Sequence, residues 1–162
     1  MKKLFWFAAM AFAQSSLAAD QVSEGDRLKQ LDSFWAAVSQ AVASGDFAAY
    51  QATCHSEGVL VSGSKKTTEP LADALKRWKS GFDDTRAGKM KASVQFKFSQ
   101  RIGDAHSAHE SGMFFYQSTS SEGKVEPNYT YFEALLVKRK GKWKTLMEYQ
   151  KSKGTREEYE AM

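Results

Sequence analysis

The spacing of apolar residues changes period once along this chain, near Lys91, and that change limits what it can fold into. Upstream, Leu28, Leu31, Phe34, Trp35, Val38, Ala41 and Val42 recur at three- and four-residue steps. Such steps build one apolar stripe on a helix. Downstream, Val94, Phe96 and Phe98 alternate with Gln95, Lys97 and Ser99, the period of two of a half-buried strand. A chain of 162 residues, 42% hydrophobic and 26% charged, can enclose one core and is not a disordered polymer. One Cys excludes a disulfide scaffold and a multi-Cys zinc site.

Punctuation between the periodic segments sets the expected elements. Gly45 suits a helix end, and Asp46 suits the N-cap of a second helix carrying Phe47, Tyr50 and Cys54. Gly58–Ser62 is a short β-branched run followed by turn material at Gly63-Ser64. Thr67 or Thr68 is expected to cap a third helix, with Pro70 in its first turn and Leu71, Leu75, Trp78 and Phe82 on its core face. Strands follow from about Lys91, from Ala105 to Gln117, from Tyr129 to Lys138 and from Lys142 to Gln150. Turns at Gly103-Asp104 and 139–141, and a polar loop at 118–128, separate them. Thr155 and Glu158 match a capping box in an otherwise polar tail, residues 153–162. Helices first and a meander after them predict an α+β fold with an antiparallel sheet over the helices.

Residues 1–19 have the form of a secretory leader. Lys2 and Lys3 precede the uncharged run Leu4–Phe12, and Ser16-Leu17-Ala18-Ala19 offers cleavage after Ala18 or Ala19. A periplasmic or secreted protein with no membrane span after cleavage is expected. Loss of Lys2 and Lys3 takes the formal charge from +4 to +2, too small to argue for nucleic acid. Cys54 is then an unpaired thiol, expected to be buried as a small hydrophobe.

The element order resembles the nuclear transport factor 2-like superfamily, particularly its SnoaL-like branch. The residues that carry the likeness are Gly45-Asp46-Phe47, Glu57-Gly58-Val59-Leu60-Val61, Gly103-Asp104-Ala105 and the basic hairpin Val137–Lys144 closing on Trp143. The likeness spans about residues 24–152, and a single domain is expected over 20–152. It implies a cone, in which a bent sheet wraps three N-terminal helices and leaves a pocket, and it implies a homodimer through the outer sheet face. Ketosteroid isomerase-like members carry a carboxylate base just after the first strand begins. Val59-Leu60-Val61-Ser62-Gly63 offers none.

Side chains for such a pocket can be nominated. Trp143 is expected to face the helices, and strict alternation then carries Met147 and Tyr149 to the concave side. Tyr129, Tyr131 and Glu133 share one face of the preceding strand, and Trp35, Tyr50 and Trp78 come from the helices. Alternation alone does not say which sheet face is inside. Glu133 is the acid–base candidate, because burial among aromatics would raise its pKa. His55 is its candidate partner, with an ordinary pKa near neutrality. His106 and His109 fall on opposite faces of a strand, so no metal site and no cofactor are expected. The functional expectation is an exported binding domain for an apolar or aromatic small molecule. The alternatives are an isomerase, cyclase or hydrolase in the same pocket, and a dimeric accessory protein with a filled cone.

Overall fold

The computed structural model describes residues 22–162, so the expected leader at 1–19 lies outside the described residues. Ser23 accepts a hydrogen bond from the Asp26 amide at 3.1 Å and opens helix α1, Glu24–Ser44. Its buried stripe is Leu31, Phe34, Trp35, Val38, Ala41 and Val42, as the spacing predicts. Leu28 is only half-buried, and Arg27 is buried beside it. Gly45 ends α1 at φ +67°, and a Cβ there would lie 2.4 Å from the Arg86 amide nitrogen. Both the left-handed turn and the close approach of a second helix demand glycine. Asp46 caps α2, Phe47–Ala52, by accepting from the Ala49 amide at 2.9 Å.

Two local expectations need correction here. Cys54 is not helical but begins strand β1, Cys54–Ser62. Thr67 and Thr68 cap nothing: they belong to strand β2, Thr67–Pro70, which pairs with β1 in a hairpin. Edge pairing satisfies their backbone groups in place of capping, and Pro70, lacking an N–H, stands just before helix α3, Leu71–Arg86. Leu71, Leu75 and Phe82 are buried on α3 as expected.

The remaining strands are β3, Met90–Gly103; β4, Ser107–Ser120; β5, Val125–Arg139; and β6, Lys142–Lys153. They form one six-stranded sheet in the order β2-β1-β6-β5-β4-β3. The sheet is α+β in class, curved and unclosed, but mixed rather than wholly antiparallel, since β1 runs parallel to β6. Five elements, β2, α3, β3, β4 and β5, separate β1 from β6 in sequence, so no hairpin dictates their direction. The polar loop expected at 118–128 is largely sheet, because Ser118 pairs with Glu126 and Thr119 with Val125. Backbone ladders do not require apolar side chains.

Curvature enters through bulges. The β3–β4 ladder shifts between Phe98 and Gln100, and the β5–β6 ladder shifts twice, at Lys151 and at Leu146. A bulge bends its strand and reverses the inside–outside alternation beyond it. On the concave side, the Trp35 ring lies 4.4 Å from Phe96, 5.6 Å from Phe98 and 5.8 Å from Phe132, centroid to centroid. On the convex side, the capping box of Thr155 and Glu158 forms and starts helix α4, Arg156–Glu160. Its Tyr159 packs on the stacked pair Phe115 and Tyr129.

Candidate functional site

A cavity of about 490 Å³ lies between the three N-terminal helices and the concave sheet face. Helix α1 contributes Trp35, Val38 and Val42, and α3 contributes Trp78 and Phe82. The sheet contributes Val94, Phe96, Phe114 and Phe132, so the walls are mainly aromatic. Polar side chains line it from both the helices and the sheet, among them Ser80 and Thr85 of α3, Tyr116 of β4 and Asn128 of β5. Tyr50 and Cys54 enter from α2 and β1, and Thr145, Glu148 and Gln150 enter from β6.

Glu148 reaches this cavity because of the bulge at Leu146. Thr145 pairs with Leu136, but Met147 pairs with Leu135, so Leu146 has no partner. Paired residues share a face, and Leu136 is in the core. Trp143 and Thr145 therefore face inward as the sequence suggested. Beyond the bulge it is Glu148, opposite Ala134, and Gln150, opposite Phe132, that face inward. The Gln150 side-chain amide donates to the Glu148 carboxylate at 2.7 Å.

The electrostatics of the cavity follow from the burial of its polar groups. Burial pushes the Glu148 carboxyl above the ordinary carboxylate range, and the Gln150 hydrogen bond pulls it back in part. Burial likewise raises the Tyr50 hydroxyl well above its usual value, with Glu148 and then Cys54 adding to the effect. The Cys54 thiol is pushed up to about 11, first by burial; the Thr53 hydroxyl opposes this, Glu148 adds to it and Lys144 lowers it. Arg77 lines the cavity too, but both its terminal nitrogens donate to Glu69, each at 2.6 Å.

Of the residues nominated from sequence, Trp35, Tyr50 and Trp78 line the cavity. The others do not. Glu133 pairs with Ser111 and Tyr149 across the ladders and lies on the convex face. There it accepts from Lys151 at 2.7 Å and sits 3.3 Å from His109 Nε2. Its carboxyl is held below the usual range, chiefly by Lys151, with His109 contributing and burial opposing. This is the reverse of the raised value expected for a buried acid. Tyr129 and Tyr131 share that outer face, and so do Met147 and Tyr149, which the Leu146 bulge turns outward. His55 stands at the start of β1, where its Nδ1 accepts from the Glu57 amide at 3.1 Å, away from the cavity lining. Glu148 and Gln150 were missed because no residue type in β6 announces a bulge.

Among the described residues, no three His, Cys, Asp or Glu side chains gather as a metal site. No described helix is long and apolar enough to cross a membrane.

Several solved structures share the fold. A ketosteroid isomerase-like protein from Erwinia carotovora atroseptica is 19% identical with a TM-score of 0.60, covering 80% of this chain and 98% of its own. An NTF-2-like protein of unknown function from Shewanella oneidensis is 14% identical with a TM-score of 0.58, covering 76% and 97%. A putative calcium/calmodulin dependent protein kinase II association domain from Xanthomonas campestris is 18% identical with a TM-score of 0.54, covering 81% and 92%. At these identities the likeness is one of fold. No curated protein matches the sequence at a significant level. The sequence profile of the calcium/calmodulin dependent protein kinase II association domain does match, over residues 28–154. The chain therefore belongs to that association-domain family, within the nuclear transport factor 2-like superfamily that its element order suggested.

Proposed function

We propose that this is an exported small-molecule-binding domain that holds an apolar or aromatic ligand inside the cone. The observation that carries the reading is the cavity of about 490 Å³ walled by aromatic side chains, with Tyr50, Glu148 and Gln150 as a compact polar group. Its size and mix of walls suit a small organic molecule. The proposed export rests on the charged start, short apolar run and small residues of 1–19. N-terminal sequencing of exported protein is expected to begin at Ala19 or Asp20. A homodimer through the outer sheet face goes with this reading. The half-buried Leu135, Met147 and Tyr149 lie there, and sedimentation tests the association.

The binding test uses the neutral apolar fluorophore N-phenyl-1-naphthylamine. Saturable binding at one site per chain is expected. Ala92→Trp, which places an indole in the cavity from β3, should weaken it about tenfold or more, a loss of about 1.4 kcal/mol. Absence of saturable binding, or binding indifferent to Ala92→Trp, would exclude the cavity as the site.

A second reading is favoured by one observation, the raised carboxyl of Glu148 close enough to Tyr50 to perturb its hydroxyl. A carboxyl moved toward neutrality can transfer protons at neutral pH. In an isomerase or hydrolase built on this cavity, Glu148 takes the role that the sequence suggested for Glu133. Turnover lost in Glu148→Gln with ligand affinity retained would identify it.

A further inference from the structure

We propose that the ligand of this cavity carries a positively charged nitrogen, an ammonium group on an apolar or aromatic body, seated between the Glu148 carboxylate and the rings of Tyr50 and Trp78. The inference rests on the binding reading above and assigns the chemical class of the ligand.

The charges of the lining decide the sign. Glu148 is the one carboxylate that lines the cavity among the described residues. It accepts from the neutral Gln150 amide, and no ion pair satisfies it among the described residues. Arg77 is the one cation of the lining among the described residues, and its guanidinium is already matched in fork geometry by Glu69. The unmatched charge of the site is therefore negative, with oxygen lone pairs left for a donor. An acid withdrawn from water without a cation is costly, and an incoming ammonium offsets that cost. A ligand carboxylate would add to it.

The walls favour the same sign. Tyr50 and Trp78 meet edge to face, with centroids 6.2 Å apart and planes at 78°, and both line the cavity with Glu148. Ring faces attract cations, most strongly where water is excluded. Among the described residues, no cation lies over either ring. The rings so engaged are Phe47, Phe98, Trp143 and Tyr159.

Three probes with one body separate the possibilities: 4-phenylbutylamine, 4-phenylbutan-1-ol and 4-phenylbutyrate, each titrated calorimetrically at pH 7.5 into the full mature chain. A charge-assisted contact of about 1.5–3 kcal/mol corresponds to roughly ten- to hundredfold in affinity. The amine is expected to bind that much more tightly than the alcohol, and the carboxylate more weakly than either. Glu148→Gln, close in shape, is expected to erase the preference for the amine while leaving the alcohol's affinity within about threefold. The wild-type ranking tests the inference without any variant, so a folding defect in Glu148→Gln does not decide it. An alcohol or carboxylate bound as tightly as the amine overturns the inference and leaves the cavity's binding role standing. So does an amine preference that survives in folded Glu148→Gln. Failure of all three probes, together with N-phenyl-1-naphthylamine, overturns both.

Discussion

Trp35 in the middle of α1 donates its indole N–H to the carboxylate of Glu110, which is fully buried in β4. The other oxygen of Glu110 accepts from Arg101 Nε, and Arg101 reaches out to Asp32 on α1. A helix and two strands are thus tied together by one acid beneath an aromatic cluster. An acid at this depth is tolerated because both its oxygens have donors.

Removing that acid should be costly. Glu110→Ala leaves the Arg101 guanidinium and the Trp35 N–H without their shared partner, and should destabilise by about 3–5 kcal/mol. Trp35→Phe removes one donor and should cost at least about 1–3 kcal/mol. Urea unfolding of both single variants and the double variant measures the coupling. Additive losses would mean that the hydrogen bond contributes nothing.

Glu148 makes stability depend on pH in an unusual direction for an acid. Its carboxyl is raised in the folded chain, so the unfolded chain ionises first as pH rises. Stability is fully present below the ordinary glutamate value of 4.5 and falls as pH climbs from there through the folded value. Glu148→Gln should therefore gain on the wild type between pH 4 and pH 8, with the gain growing upward. Thermal unfolding across that range checks it, and a gain confined to low pH would contradict the effect of burial on Glu148.

Cys54 should be slow to alkylate. With its thiol pushed up to about 11, the reactive thiolate at pH 8 is scarcer than in a free cysteine by roughly a hundredfold or more. Iodoacetamide labelling followed by mass spectrometry should show that retardation in the folded chain and its loss in urea. Equal rates in both states would contradict it.

Glu133 provides the control for the site. Its partners Lys151 and His109 lie with it on the convex face, where such pairs contribute about 0–1 kcal/mol. Its depressed pKa makes that contribution present above about pH 4.5 and lost as pH falls through the folded value. Glu133→Gln should change stability by less than about 1 kcal/mol at pH 7 and leave N-phenyl-1-naphthylamine binding unaltered. A tenfold loss of binding would return this residue to the site.

Much of the architecture was legible from spacing. The stripe Leu31–Val42 on α1, the glycine stop at Gly45, the Asp46 cap and the capping box at Thr155 all form as the residue types require. These features depend on neighbours within one helical turn, so local sequence carries them. The pairing of β2 with β1 and of β1 with β6 depends on partners far along the chain. Neither the Thr67-Thr68 dipeptide nor the run at Gly58–Ser62 names its partner.

The candidate site divides along the same line. Residue type and periodicity determined that Trp35 and Trp78 would be drawn into the interior from amphipathic helices, and that residues 91–150 would make a pleated wall. Tertiary structure alone decided which acid the wall presents. One extra residue at Leu146 lets the strand follow the curvature, and each side chain from there to Gln150 changes sides. Met147 and Tyr149 turn outward, and Glu148 and Gln150 turn in. Alternation is strict only while the ladder is unbroken, and the bend that breaks it is imposed by curving the sheet around the helices, a demand that no short stretch of sequence records.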